Sequence, residues 1–281
     1  MNIFKTAVLL TGLTLLLVLA GDYFGGQNGA LVAFAIAAAM NFFSYFYSDR
    51  LALAMYHAQP ATREQLPRVY EIVERLTARD HLPMPKIYVL PTDSPNAFAT
   101  GRNPSHSSVA VTQGILALLS DDELEGVLAH ELSHVRNRDI LTSSIAATLA
   151  GAITMISRMA FWFGGRRDRE GGGAAALLML ILAPLAAMLI QLWVSRTREF
   201  EADASGARLT NNPHALASAL EKISGISRRV PLEASPSSAH MFIIAPLLSG
   251  QSFANLFSTH PPVQKRIERL IGRPSVYGSI Q

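Results

Sequence analysis

AHELSHVRNRD, residues 129 to 139, sets two histidines, a glutamate and a basic tail directly before a long uncharged run. His130 and His134 are four residues apart, so on a helix both rings project from one face, with Glu131 turned by roughly 100° from His130. Ser120 followed by Glu123 has the pattern of a capping box and predicts a helix from there to about Asn137. Leu124, Leu128, Leu132 and Val135 form an apolar stripe turned away from the histidines. The helix is therefore expected to pack on one side and face a cleft with the other. Two imidazoles at this spacing can chelate one divalent ion, while the next carboxylate reaches a water on the open side of that ion. A solvated polar helix face gives the same letters, so a third ligand has to decide between the two readings.

Composition gives this helix its setting. The chain has 281 residues, of which 49% are apolar and only 16% charged, and the apolar residues come in blocks. That pattern is expected of a membrane protein. With no cysteine, any metal must be held by histidine and carboxylate. The net charge of +3 is what arginines beside membrane spans produce, and nucleic acid is not expected as a partner.

Four runs approach or exceed the roughly 20 residues that an apolar helix needs to cross a bilayer. The first lies between Lys5 and Asp22, the second between Asp22 and Asp49 with an aromatic end (Phe42, Phe43, Tyr45, Phe46, Tyr47). A third begins at Ile140 and ends in Phe161, Trp162 and Phe163, and a fourth carries no charge from Gly171 to Ser195. The first run has the form of a signal peptide, but a second uncharged run follows almost at once and favours an anchor.

Four parts follow along the chain. Residues 1–48 hold two N-terminal spans, 49–139 a first polar half with the histidine helix, 140–195 a transmembrane or partly inserted hairpin, and 196–281 a second polar half. Residues 63–80 carry Leu66, Val69, Tyr70, Val73 and Leu76 at helical spacing. Short runs at 86–90, 96–100 and 107–112, separated by Pro, Gly and Asn, predict a small sheet. Residues 197–209 and 213–229 read as helices, and 231–262 mostly as loop.

The third ligand is sought in TREFEADASGARL, residues 197–209. Glu199 and Asp203 are four apart, so one carboxylate could bind the metal while the other accepts a hydrogen bond from a ligand imidazole. Small Ala202, Ala204 and Gly206 would let this helix approach another closely. Two spans lie between Glu131 and Glu199, and two crossings return the chain to its starting side. Both halves of the site can then meet at the membrane surface.

His130-Glu131-Leu132-Ser133-His134, Glu199-Phe200-Glu201-Ala202-Asp203, Ser258-Thr259-His260-Pro261-Pro262 and the Asn96-to-Gly101 stretch together resemble the HtpX family of membrane-bound zinc metalloproteases, of the gluzincin type. The resemblance runs over nearly the whole chain and extends, more distantly, to the prenyl-protein proteases. It implies an α-helical membrane protein with an α+β zincin-like domain, about four transmembrane helices and a small sheet. It also implies one zinc ion held by His130, His134 and Glu199, in an endopeptidase of the bacterial inner membrane acting on damaged or misfolded membrane proteins in quality control and stress response. Glu131 is then the general base, Asp203 orients a histidine, and Asn96, Ala97, Phe98 and Ala99 form an edge strand that holds extended substrate. His260 either donates to the oxyanion or merely packs before two prolines. Arg266 either pairs with Asp203 or is solvated.

Arg50, Arg136, Arg138, Arg196 and Arg198 flank the polar halves and predict that these face the cytoplasm. Arg166, Arg167 and Arg169, between the third and fourth runs, oppose that orientation. The competing readings are a CAAX-type prenyl-protein protease and a non-enzymatic metal-binding membrane scaffold.

Overall fold

The computed structural model describes residues 2–141, 145, 196–227 and 261–272. The expected third span therefore lies outside the described residues apart from Ile140, Leu141 and Ile145, and the fourth lies outside them entirely. Among those described, one helix is long and apolar enough to cross a membrane, Gly25–Met55. It is the second half of α1 (Asn2–Met55), which breaks at Gly26 with φ 58° and ψ −152°, a backbone open to glycine because it has no Cβ. The two halves fold back on each other. A Cβ on Gly21 would collide with Ala33 and the Gly29 backbone, and Asn41 Nδ2 donates to Thr14 Oγ1 across the pair at 2.9 Å. Leu31, Val32, Phe34, Ile36, Phe42 and Phe43 are exposed on its outer surface, an apolar patch that water does not favour. The helix also runs on past Asp49, where the charges suggested an end, to Met55.

After α1 the chain builds a four-stranded mixed sheet in the order β1-β2-β4-β3. Its strands are β1 (Gln59–Pro60), β2 (Lys86–Leu90), β3 (Ala97–Asn103) and β4 (His106–Thr112). β2 and β4 run parallel, with Ile87 opposite Val109, and β3 is antiparallel to β4, with Ala97 opposite Val111. The strand pleat sends alternate residues to opposite faces. Ile87, Ala97, Ala99, Val109 and Val111 enter the main core, whereas Leu90, Phe98 and Ala110 pack on Ala52 and Leu53 from the end of α1. The membrane helix thus closes one face of the sheet.

The other face is covered by helices. α2 (Pro67–Arg79) buries Val69, Ile72, Val73 and Leu76, and starts later than the periodicity suggested because Thr62 to Leu66 form a turn ahead of Pro67. α3 (Gln113–Leu118) is a short helix capped by Thr112, and α4 (Asp121–Arg136) opens with the expected box between Ser120 and Glu123. α5 (Arg196–Thr210), α6 (Pro213–Ser227) and α7 (Val263–Ile271) complete the described chain. α4 departs from expectation. Instead of one packed side and one open, Leu124, Val127, Ala129, His130, Glu131, Leu132 and Ser133 are all buried. Sequence periodicity records the apolar stripe but not the later helices that close over the polar side.

Glu123 ties α4 to one of them. Its carboxylate accepts from the Ser120 amide, from Ser218 Oγ at 2.6 Å and from Lys222 Nζ at 2.8 Å on α6. Burial alone would raise this carboxyl, but the bonds from Lys222, Ser218 and Ser120 outweigh it and hold it down to about 2. A depressed carboxyl contributes stability above its unfolded value and loses it as pH falls through the folded one. Glu123→Gln should therefore lower the unfolding free energy at pH 7 by about 1 to 2 kcal/mol. In denaturant titrations the gap to the parent protein should shrink as pH falls from about 4.5 towards about 2. A gap that stays constant over that range would show that the charge of Glu123 is not what matters.

Candidate active site

Helical spacing puts His130 and His134 one turn apart on α4, with ring centroids 4.9 Å apart and nearly perpendicular. α5 supplies Glu199 and Asp203. It comes close because Gly206 lies against the backbone of α4, where a Cβ would stand 2.9 Å from the His130 nitrogen. Ala202 is fully buried, whereas Ala204, expected to share the close-approach role, is exposed.

The two imidazoles are oriented by carboxylates. His130 Nδ1 lies 2.9 Å from Asp203 Oδ1, and His134 Nδ1 lies 3.2 Å from Asp139 Oδ2. Both Nε2 atoms consequently face Glu199, at 3.8 Å from Oε2 for His130 and 3.6 Å from Oε1 for His134. These separations are too long for hydrogen bonds. They are near the roughly 3.3 Å that separates two ligands about 2 Å from a shared tetrahedral ion. One donor atom from each of His130, His134 and Glu199 lies within 4.8 Å of the others, so this trio could hold a metal ion. Nitrogen and oxygen donors with tetrahedral spacing suit zinc.

Charge balance points the same way. Burial lowers the pKa of His130, and Asp203 only partly opposes this, which favours a neutral ring with Nε2 free to bind. Burial also disfavours a charged His134, but Asp139, Glu199 and Glu131 together overcome it and push this ring up to about 9. The surroundings of His134 thus attract positive charge. Burial pushes the Glu131 carboxyl up to about 7, with Glu199 acting in the same direction and His134 and the Ala99 amide against it. A carboxyl near neutrality can both accept a proton and return it.

Arg266 on α7 has no solvent exposure and pairs with Asp203 through two bonds, Nε to Oδ2 at 2.8 Å and Nη2 to Oδ1 at 2.6 Å. Of the two roles open to it, pairing is the one found. Burial alone would raise the Asp203 carboxyl; this guanidinium instead holds it down to about 2. Asp203 is thereby kept as an acceptor for His130. The structure also adds Asp139, which closes the opening sequence stretch and had been given no part.

β3 meets the site through its outer edge. The Ala99 amide donates to Glu131 Oε2 at 2.9 Å, and the Ala97 amide donates to Asn96 Oδ1 at 2.8 Å. Asn96, Ala97, Phe98 and Ala99 are all buried, and Phe98 turns away from the site toward Tyr56. His260 lies outside the described residues, immediately before Pro261 where the described chain resumes.

Known proteins are similar to this chain. Residues 63–273 match the model of peptidase family M48. A "Protease HtpX homolog" of Syntrophobacter fumaroxidans is 54% identical over 276 residues, covering 95% of this chain and 98% of that one. Another, of Thermococcus sibiricus, is 53% identical over 95% of this chain and 94% of its own length. A crystal structure of Ste24p from S. mikatae shares the fold with a TM-score of 0.55 at 17% identity, over 96% of this chain and 65% of that one. Site and matches together define a metallopeptidase. The chain belongs to peptidase family M48 and, at half identity over nearly full length, to its HtpX homologs.

Gly206 offers a test of the helix contact. On helix propensity alone Gly206→Ala would stabilise α5 by about 1 kcal/mol. The contact with His130 reverses that expectation. Gly206→Ala should lower the thermal midpoint and weaken metal retention during dialysis against a chelator, and a midpoint above that of the parent would refute the close approach.

Proposed function

We propose that the protein is a membrane-anchored zinc endopeptidase that hydrolyses damaged or misfolded membrane proteins, serving quality control under stress. The observation that carries this reading is the placement of Glu131, a buried carboxyl beside a three-donor cluster of two imidazoles and one carboxylate. Zinc bound by His130, His134 and Glu199 would supply Lewis acidity, sharpening the acidity of a water and polarising the scissile carbonyl. Glu131 takes the proton from the attacking water at its carboxylate and later delivers it to the leaving amine. Asp203, held by Arg266, keeps Nε2 of His130 directed at the donor cluster.

Asn96 and the outer edge of β3 from Ala97 to Ala99 are assigned to extended substrate by main-chain pairing. A substrate strand there competes for the Ala99 amide and so frees Glu131 Oε2, linking occupation of the edge to release of the base. His260 is assigned to the oxyanion as a hydrogen-bond donor. We assign the chain to the bacterial inner membrane as a multi-pass protein. In this reading 1–48 and 140–195 lie in or on the bilayer, and 49–139 and 196–281 form the two halves of a catalytic domain facing the cytoplasm. Support comes from the apolar surface of α1 and from the arginines that flank the two polar halves.

Glu131→Gln separates chemistry from metal binding. It should lower cleavage of an unfolded membrane substrate by at least about 100-fold while zinc stays at one per chain by elemental analysis. A prenylated peptide assayed in parallel should be cut poorly. Full activity in Glu131→Gln would remove Glu131 from the chemistry, and preferential cleavage of the prenylated peptide would replace the quality-control assignment.

A further inference from the structure

Asp139 lies five residues beyond His134, a spacing that no straight helix could use. In a continuous helix the fifth residue stands about 140° around the axis and points elsewhere. α4 stops instead at Arg136, and Arg138 adopts a left-handed conformation with φ 58°. A residue with a Cβ disfavours that backbone, so surrounding contacts must hold it there. The turn brings Asp139 back to the His134 ring, where Oδ2 sits 3.2 Å from Nδ1, and leaves the aspartate 4% exposed.

Its other oxygen faces a different part of the chain. Oδ1 lies 3.4 Å from Nη1 of Arg198, one residue before Glu199. Asp139 immediately precedes the apolar run that starts at Ile140, and Arg198 follows the run that ends at Ser195. One partly buried ion pair therefore joins the entrance and the exit of the 140–195 segment. The same pair touches one candidate metal ligand in space and adjoins another in sequence.

We propose that Asp139 is a positioning residue for the metal site, holding the His134 ring with Nε2 toward Glu199, and that its ion pair with Arg198 makes this hold depend on the two ends of the 140–195 segment staying together. The inference rests on the zinc reading above. An Nδ1–H donated to a carboxylate fixes the tautomer and raises the basicity of the coordinating nitrogen, and partners of this kind carry about 10- to 100-fold in metal affinity. Arg198 in turn fixes the carboxylate. The device assigns His134 a partner from its own chain neighbourhood, whereas His130 takes its partner, Asp203, from α5.

The test measures zinc dissociation constants by chelator competition in the full-length, detergent-solubilised protein, with the thermal midpoint of the metal-free form as a folding control. Asp139→Ala should weaken zinc by about 10- to 100-fold with the metal-free midpoint little changed. Asp139→Asn keeps the shape and an acceptor oxygen but loses the charge, so its affinity should fall between the two, and it carries the test if the alanine variant does not fold. Arg198→Ala should also weaken zinc, and D139A/R198A should hold zinc no more weakly than Asp139→Ala alone. Parent-like affinity in both Asp139 variants overturns the positioning role, and additive losses in the double variant overturn the coupling to Arg198. A parent protein that binds no zinc would overturn the protease reading and this inference with it.

Discussion

The approach of α5 to α4 at Gly206 is the constraint from which the site follows. Glu199 and Asp203 sit on α5, and the histidines sit on α4, far away in sequence. Only a backbone contact without a Cβ between them lets a carboxylate oxygen come within 4 Å of both imidazole nitrogens. The same proximity buries Asp203, which would be costly for a carboxylate left alone. Arg266 from α7 offsets that cost with two short charge-assisted bonds. Removing either member would leave the other as an uncompensated buried charge, so α4, α5 and α7 are held in one arrangement by a single local requirement.

That requirement also sorts the carboxylates by role. Asp203 is pinned in its ionised form by Arg266, and Asp139 faces Arg198 as well as His134. Glu131 instead accepts from a neutral backbone amide and lies buried. An ionised Asp203 suits the orienting of an imidazole, while a carboxyl lifted toward neutrality suits the exchange of a proton. Three similar side chains thus acquire different chemistry from what stands beside each.

Much of this was legible beforehand because it depends on short-range pattern. The capping box at Ser120 and Glu123, the four-residue spacing of His130 and His134, and the run KIYVL each encode local geometry, and β2 spans the same residues as that run. Gly206 announced a close contact because only a small residue permits one, but Ala204 carried the same signal and points to solvent. What escaped was set by packing between distant segments. Arg266 lies sixty-three residues from Asp203, so its two options could not be separated from spacing. Asp139 was hidden by a left-handed turn at an arginine, where glycine or asparagine would have flagged it. The burial of His130, Glu131 and Ser133 on α4 reflects helices that come later in the chain, and a two-residue strand such as β1 has no periodicity to read.

The sheet relates the site to the bilayer without an intervening linker. Phe98 of β3 packs on the end of α1, while its neighbours Ala97 and Ala99 face the core that includes α4. One strand is therefore clamped between the membrane helix and the histidine helix. Arg102 on the same strand stands 5.5 Å over the ring of Phe46, within the exposed aromatic stretch from Phe42 to Tyr47 that suits a headgroup region. From Tyr47 to Leu53, where α1 meets the sheet, a helix rises about 9 Å. An extended chain covers that distance in about three residues. A polypeptide running beside the end of α1 would thus need very little unfolded length to reach the edge of β3.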